Sequence, residues 1–187
     1  MYLFTNGSVV KEFRAEPLSL ETLDQIACSL FYLISAKMTS HFKPPDHPSY
    51  PSPEDRVRAV LDNLWADPKH KGFDTEGLQN IKCVAASVEK QTVEFEMTTT
   101  PILCNKHQVL HGGAAAMLLD MLALTILGML VKPGYLDNGH VSRTLTITYL
   151  GPLPVEVKVK IGCHTFAISK RMANLYGAIK TTKEKRV

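Results

Sequence analysis

The 187-residue chain lacks the compositional signals of several large protein classes. Its formal net charge of +3 is too small to indicate nucleic-acid binding by itself. The four cysteines include no C-x-x-C pair, and no secretory signal peptide precedes them, which indicates free thiols in a reducing compartment. Glu12 and Glu16 come early, whereas transit peptides are poor in acids. We expect a cytoplasmic protein, with the mitochondrion as the alternative.

Other common signatures are also missing. No G-x-S-x-G sequence and no obvious catalytic triad are present, which argues against a serine hydrolase. No internal repeat is visible. The longest apolar run, residues 114–131, approaches the length of a membrane span, but it contains Asp120, and an acid inside a bilayer is costly. We therefore expect no membrane span and no nucleic-acid partner.

A proline-rich segment divides the chain. Residues 44–53, PPDHPSYPSP, contain five prolines and predict a linker, because this composition suits neither a helix interior nor a central strand. Before the linker, apolar residues recur at helical spacing and predict a helix over residues 20–38. The predicted division is an N-terminal, partly helical appendage at 1–43, the linker at 44–53, and a domain at 54–187.

The predicted domain combines two helices with five strands. An amphipathic helix at 53–67 begins with proline and two acids, and a much more apolar helix covers residues 112–131. The sequence predicts strands at 78–90, 91–100, 140–150, 155–166 and 172–182, with clear alternation of apolar and polar residues in the second and fourth. An antiparallel sheet wrapped around the apolar helix would explain this order, so we expect an α+β fold.

The stretch 105-NKHQVLHGGAAAMLLDML-122 contains the best candidates for chemistry. Gly112 and Gly113 open the apolar helix, where N–H groups point outward and the helix dipole favours negative charge. Glycines there leave no side chain to block a ligand, so a carbonyl docked at this point could meet an oxyanion hole. The alternative is that the two glycines only permit a tight turn or close packing.

Asp120 lies in the middle of the same apolar helix. A buried carboxylate is costly unless it is paired, so Asp120 faces a polar cleft, meets a partner on another element, or occupies a solvent-facing position. Eight residues separate it from Gly112, which is roughly 12 Å along a helix. One reacting carbon cannot contact both ends of that span. If both groups are catalytic, two helices packed antiparallel about a two-fold axis would supply one group each.

The spacing of these residues resembles the hotdog-fold acyl-CoA thioesterases, in their PaaI-like branch. That family has the pattern N-x5-HGG-x6-D, followed by a strand with S-x4-ITY-x-x-P. This chain matches the pattern over about residues 54–182, at Asn105, His111, Gly112, Gly113, Asp120, Ser142, 147-ITY-149 and Pro152. The resemblance implies a hotdog fold, hydrolysis of acyl-CoA thioesters, and no metal or other cofactor.

The resemblance also implies a role for each residue. The Gly112 amide would polarise the thioester carbonyl, and Asp120 of the partner subunit would act as general base on water, or as nucleophile. Asn105 and Ser142 would position that water or the carboxylate, while His111 would support the loop and the thioester site. From the residues alone, Asn105 is equally suited to cap a turn, and His111 and Ser142 to structural roles.

The remaining implied roles concern substrate binding and assembly. Gly113 would line the substrate site, and Lys180 and Lys183 would contact the nucleotide phosphates of coenzyme A. The expected assembly is a homodimer that forms a dimer of dimers. The acyl chain itself cannot be identified from the sequence.

Two features depart from the family pattern. The family sheet carries one further strand after the segment at 172–182, whereas this chain stops at 183-KEKRV-187. We therefore expect the last strand to be missing or supplied differently, as in a truncated homologue, and a missing strand would expose an unpaired edge. The connection at residues 132–140 also exceeds the usual length by a few residues.

Two rival functions remain open at this point. Cys104, His107 and His111 have a C-x2-H-x3-H spacing that zinc tolerates, with Asp120 as a fourth ligand. The second rival is a non-catalytic module of the same fold that binds acyl-CoA or an acyl carrier. Binding alone does not require a buried acid, so the presence of Asp120 favours catalysis.

Overall fold

The computed structural model describes residues 25–33, 52–65, 72, 74–130, 141–169 and 172–182. In this part of the chain six strands form one antiparallel sheet with the order β2-β3-β5-β6-β1-β4. The strands are β1 (Gln25–Leu33), β2 (Lys82–Ser87), β3 (Thr92–Thr98), β4 (Val141–Tyr149), β5 (Lys158–Ile168) and β6 (Met172–Thr181). The helices are α1 (Pro53–Trp65), the short α2 (Thr75–Leu78) and α3 (Gly112–Leu130), with a 3-10 turn at Pro101–Leu103.

α3 is the centre of the core. It packs on one face of the sheet, here called the inner face, where Phe95, Ile161 and Ile179 are fully buried. The opposite face is called the outer face. Among the described residues, α3 alone has the length and hydropathy to cross a membrane, and 61% of that window is buried within the protein. A helix enclosed on most sides is apolar nearly all round, which explains its composition.

α1 connects α3 to one edge of the sheet. A Cβ atom on Gly128 of α3 would overlap a methyl group of Val60, so the two helices are in close contact there. In the first turn of α1, Glu54 Oε1 accepts a hydrogen bond of 3.1 Å from the Ala86 N–H of β2. Hydrogen bonds from its own backbone N–H and from Ala86 lower the pKa of Glu54. α1 therefore covers the β2 edge, and β4 forms the other edge.

Residues 25–33 form a strand, so the helix predicted over residues 20–38 is wrong for this stretch. The rest of that range lies outside the described residues. β1 pairs with β6 on one side and β4 on the other. The sequence QIACSLFYL is a nearly continuous apolar run, and periodicity alone cannot distinguish such a run in a strand from a buried helix.

β1 occupies the sheet position beside β6. The sequence had led us to expect that the family strand following residues 172–182 is missing or supplied differently. A strand following β6 through a hairpin would need the β6 edge that pairs with β1, because the other edge pairs with β5. Residues 183–187, where that strand was expected, lie outside the described residues. The predicted N-terminal appendage thus contributes an interior strand to the sheet. The division of the chain at residues 44–53 stays a prediction.

The other predicted elements are confirmed. α1 and α3 match the helices expected at 53–67 and 112–131, so a helix does precede the core strands β2 to β6. The five predicted strands correspond to β2 through β6, with β2 and β3 shorter than expected. The connection at 132–140, expected to be long, lies outside the described residues.

Replacing Ser29 with proline tests the placement of β1. Proline removes an N–H from the middle of a strand paired on both sides, so we expect the free energy of unfolding to fall by at least about 2 kcal/mol. Amide exchange should also rise across residues 141–149, because among the described strands β4 pairs only with β1. Urea unfolding and hydrogen-exchange mass spectrometry measure both effects. Ser29→Ala, which keeps the N–H, is the control, and unchanged protection of β4 in the proline variant would contradict the strand.

Candidate active site

α3 begins at a histidine that caps it. His111 Nδ1 accepts a hydrogen bond from the Gly113 N–H at 2.9 Å, and the His111 carbonyl accepts one from the Ala115 N–H, also at 2.9 Å. The first amides of a helix have no intrahelical acceptor, so a side-chain acceptor at this position stabilises the helix. A Cβ atom on Gly113 would lie 3.2 Å from Nδ1, so glycine leaves room for this cap.

Tyr149, at the end of β4, lies against Gly112. Its phenol O–H donates to the Gly112 carbonyl at 2.9 Å. A Cβ atom on Gly112 would lie between 3.1 and 3.4 Å from the phenol oxygen and two ring carbons. The side of Gly112 that was expected to be open to a ligand is therefore occupied by Tyr149. The open group is the Gly112 N–H, which has no acceptor among the described residues.

The loop before α3 is a tight turn. The Asn105 N–H donates to the Val109 carbonyl at 2.8 Å, and Asn105 Oδ1 accepts from the His107 N–H, also at 2.8 Å. Asn105 therefore caps the turn, as the structural alternative anticipated. Its side-chain NH₂ group makes no hydrogen bond to another described residue, so this donor is available for a second role.

A neighbouring segment links this loop to the sheet. The Leu110 N–H donates to the Leu153 carbonyl at 2.7 Å. Thr99, which follows β3 and is buried, donates from its hydroxyl to the Pro154 carbonyl at 2.6 Å. A buried hydroxyl requires such a partner. The end of β3, the segment at 153–154 and the loop are thereby joined, which fixes the beginning of α3 relative to the sheet.

Asp120 accepts a hydrogen bond from Ser142. Ser142 Oγ lies 2.5 Å from Asp120 Oδ1, and Asp120 is half-buried on α3. A hydroxyl donor is the kind of partner that a carboxylate on an apolar helix needs. One chain therefore brings these two predicted site residues into direct contact.

Ser142 points toward α3 because β4 contains a bulge. The register of β4 against β1 is regular from Tyr149 back to Thr144 and then shifts by one, which makes Arg143 an extra residue. Strict alternation would place Ser142 and Tyr149 on opposite faces of the sheet. The extra residue returns Ser142 to the inner face. The guanidinium of Arg143 itself lies 3.7 Å from the sulfur of Met172, an exposed residue of β6.

The site residues fall into two groups in one chain. The helix-start group consists of Asn105, His111, Gly112, Gly113 and Tyr149, and the carboxylate group consists of Asp120 and Ser142. Eight residues of α3 separate Gly112 from Asp120, which is roughly 12 Å. Among the described residues no hydrogen bond joins the two groups. In one chain the two groups of predicted site residues therefore remain separate.

Lys180 lies away from both groups. It is exposed near the end of β6 and alternates with the buried Ile179, so it projects from the outer face, whereas Tyr149 lies on the inner face. Lys183 lies outside the described residues. Contact with nucleotide phosphates stays a prediction for both lysines.

The zinc alternative finds no support in the geometry. Among the described residues no group of three or more His, Cys, Asp or Glu side chains is placed to hold a metal ion. Burial raises the pKa of the Cys104 thiol, which disfavours the thiolate that zinc binds. His111 Nδ1 is already engaged by the Gly113 N–H.

Comparison with known proteins places the chain in a family. No protein-family model matches it. Thioesterase superfamily member 2 from Mus musculus shares its fold, with a TM-score of 0.51, 21% identity, and coverage of 70% of this chain and 97% of that one. The zebrafish counterpart gives a TM-score of 0.50, 17% identity, and coverage of 68% and 96%. The Caenorhabditis elegans protein named "Putative esterase F42H10.6" is 31% identical over 122 residues, 63% of this chain and 70% of the relative. The chain belongs to the hotdog-fold thioesterase family.

Two parts of the site in this thioesterase-family chain were missed in the sequence. Tyr149 stood within the ITY motif, but its spacing gave no sign that its phenol reaches Gly112. The bulge at Arg143 has no sequence signal of its own, since no glycine or proline marks it. The family pattern contained one hint. It gives Ser142 a role beside Asp120, whereas strict alternation places Ser142 and Ile147, five residues apart, on opposite faces of the sheet.

Replacing Gly113 with alanine tests the histidine cap. Alanine favours a helix over glycine by about 1 kcal/mol, but its Cβ would press on His111 and weaken a cap that is also worth about 1 kcal/mol. We therefore expect Gly113→Ala to leave the free energy of unfolding nearly unchanged in the native thioesterase-family chain. In a His111→Ala background the same change should stabilise by about 1 kcal/mol. Urea unfolding of the four proteins measures this coupling, and equal effects in both backgrounds would contradict the cap.

Proposed function

We propose that the chain hydrolyses acyl-CoA thioesters to a carboxylic acid and coenzyme A. One observation carries the proposal: a single apolar helix has an open N–H at Gly112 and a carboxylate at Asp120 that is hydrogen-bonded to Ser142. An oxyanion donor and a positioned base are the two groups that this reaction requires. Membership of the thioesterase family and the esterase-named relative support thioester hydrolysis in general. Coenzyme A as the leaving group is our inference from the resemblance of the motif.

The proposed reaction has two steps. The Asp120 carboxylate takes a proton from water, and the water oxygen forms a bond with the thioester carbon. The carbonyl oxygen becomes negative and accepts a hydrogen bond from the Gly112 N–H at the positive end of the α3 dipole. The carbon–sulfur bond then breaks, its electron pair leaves on sulfur, and the thiolate takes the proton held by Asp120. The scheme uses no metal or cofactor.

Ser142 and Asn105 have supporting roles in this scheme. The Ser142 hydroxyl donates to one oxygen of the Asp120 carboxylate and so restricts the orientation of the carboxylate. The Asn105 NH₂ group, which is not used in its turn, would donate to the carbonyl or the water in this scheme. These contacts hold the reacting groups in place and lower the entropic part of the barrier.

The edge of β4 supports a site formed by two subunits. β4 is the last strand of the described sheet, and its residues Val141, Leu145 and Tyr149 are 40%, 36% and 54% exposed. A nine-residue edge with exposed apolar side chains is a template for pairing with another strand. We infer that two copies pair antiparallel through β4 about a two-fold axis.

The register of that pairing determines which groups meet. If the two β4 strands are centred between Leu145 and Thr146, Ser142 of each subunit lies opposite Tyr149 of the other. Ser142 is bonded to Asp120, and Tyr149 is bonded to Gly112. The carboxylate group of one subunit would therefore approach the helix-start group of the other, which overcomes the separation along α3. Further association into a dimer of dimers stays a prediction.

Replacing Asp120 with asparagine tests the reaction. Asparagine keeps the size of the side chain and an oxygen acceptor for Ser142, but it cannot take a proton from water. We expect hydrolysis to fall by about 10²-fold or more, with binding of coenzyme A retained. Thiol release from acyl-CoA of several chain lengths, aromatic acyl groups included, measures the first effect, and calorimetry measures the second.

Glu94→Gln, which removes an exposed carboxylate of β3, is the matched control. Full hydrolysis by Asp120→Asn would exclude Asp120 as the base. Binding of acyl-CoA without hydrolysis by the unmodified protein would instead favour the non-catalytic module.

Mixing two inactive variants tests the shared site. Asp120→Asn lacks the carboxylate, and Gly112→Val adds a branched side chain at the helix start, which displaces Tyr149 and obstructs the approach of a carbonyl to the Gly112 N–H. After mixed refolding or coexpression, half of the dimers are mixed, and each contains one intact site, so about a quarter of the normal activity should return. Asp120→Asn mixed with Asp120→Ala lacks any intact site and is the control. No recovery in the first mixture, with mixed dimers shown by mass, would contradict a site formed by two subunits.

A further inference from the structure

One peptide group at the beginning of α3 is held at both ends by side chains. The group that joins Gly112 to Gly113 has its oxygen on Gly112 and its N–H on Gly113. Tyr149 donates to that oxygen at 2.9 Å, and His111 Nδ1 accepts from that N–H, also at 2.9 Å. Hydrogen bonds at the two ends of one amide polarise each other and strengthen both.

The preceding peptide group is held at one end only. Its oxygen, on His111, accepts from the Ala115 N–H at 2.9 Å. Its N–H, on Gly112, has no acceptor among the described residues. The two peptide groups meet at the Cα of Gly112, so the orientation of the first limits the orientation of the second.

The two glycines leave the direction of the Gly112 N–H unrestricted by their own backbone preferences. The side chains of Tyr149 and His111 lie 3.1 to 3.4 Å from the places where Cβ atoms on Gly112 and Gly113 would lie, so a larger residue would be crowded at either position. Glycine also has the widest choice of backbone conformations, so a pair of glycines alone would not fix the direction of an N–H group. The two hydrogen bonds supply the restriction that the glycines lack.

We propose that His111 and Tyr149 are a pair of positioning residues that hold the Gly112–Gly113 peptide group and thereby aim the Gly112 N–H at the thioester oxygen. This inference rests on the proposed function. A donor contributes to catalysis only if it is already oriented when charge develops on the oxygen. The pair acts through the backbone, and neither side chain needs to touch the substrate.

The test is a double-variant cycle in the full-length protein. Tyr149→Phe removes the phenol hydroxyl and keeps the ring, and His111→Ala removes the cap. We expect each to lower kcat about tenfold, less than the roughly 10²-fold loss that follows removal of an oxyanion donor. KM should stay within about twofold, because the aimed N–H acts mainly in the transition state. The kcat of the double variant should be only slightly below that of the less active single variant, because both side chains hold the same peptide group.

Two further variants separate positioning from stability. His111→Asn retains a side chain that caps helices well, so kcat should recover most of its value. Tyr176→Phe removes a phenol hydroxyl from the outer face of the sheet and should leave kcat unchanged. Unchanged kcat in Tyr149→Phe and His111→Ala, or losses that multiply in the double variant, would overturn the proposal.

A measurement that needs no substrate tests the positioning pair separately from the proposed hydrolysis. Exchange of the Gly113 amide hydrogen, measured by NMR, should accelerate in both single variants because each loosens the same peptide group. If the unmodified protein hydrolyses no acyl-CoA, the proposed function fails, whatever the exchange shows. If hydrolysis is normal but Gly113 exchange is the same in all variants, the positioning pair fails and the function stands.

Discussion

The hydrogen-bond ladder between β1 and β4 is the constraint on which the site depends. Among the described strands β4 pairs with no other, yet it carries both Ser142 and Tyr149. Ser142 holds the carboxylate of Asp120, and Tyr149 holds the carbonyl of Gly112. The ladder also contains the bulge that turns Ser142 toward α3. β1, which makes no contact with a substrate in this scheme, therefore determines the geometry of both groups of predicted site residues.

The two glycines and the acid on α3 follow from the same geometry. Each glycine makes room for one side chain, Tyr149 at Gly112 and His111 at Gly113, and only one amide stays open. The acid is tolerated on an apolar helix because β4 provides a hydroxyl donor for it. Charge that develops near the first turn would meet an N–H group and a helix dipole that are already oriented.

Much of the fold was predictable because local patterns and the final environment agree. The alternation of Val93, Phe95 and Met97 matches three buried positions of β3, and the apolar run after Gly112 matches the enclosed helix α3. β1 was misread because its sequence is a nearly continuous apolar run, which lacks the alternation that identified β3. The contact of Tyr149 with Gly112 depends on how β4 crosses α3, and the bulge depends on pairing between distant segments. Neither is encoded in a local period.

The place of β1 in the sheet has a consequence for biosynthesis. The strand precedes both of its partners, and β6 ends only at Thr181. While the chain is made from its N-terminus, this apolar segment cannot complete its ladders until almost all of the described residues have been made, whereas β5 and β6 can form their hairpin at once. Pairing between distant segments is slow, and an unpaired apolar strand associates readily with other chains. Of the described strands, the one that completes the sheet is therefore also the one that stays unpaired for longest during synthesis.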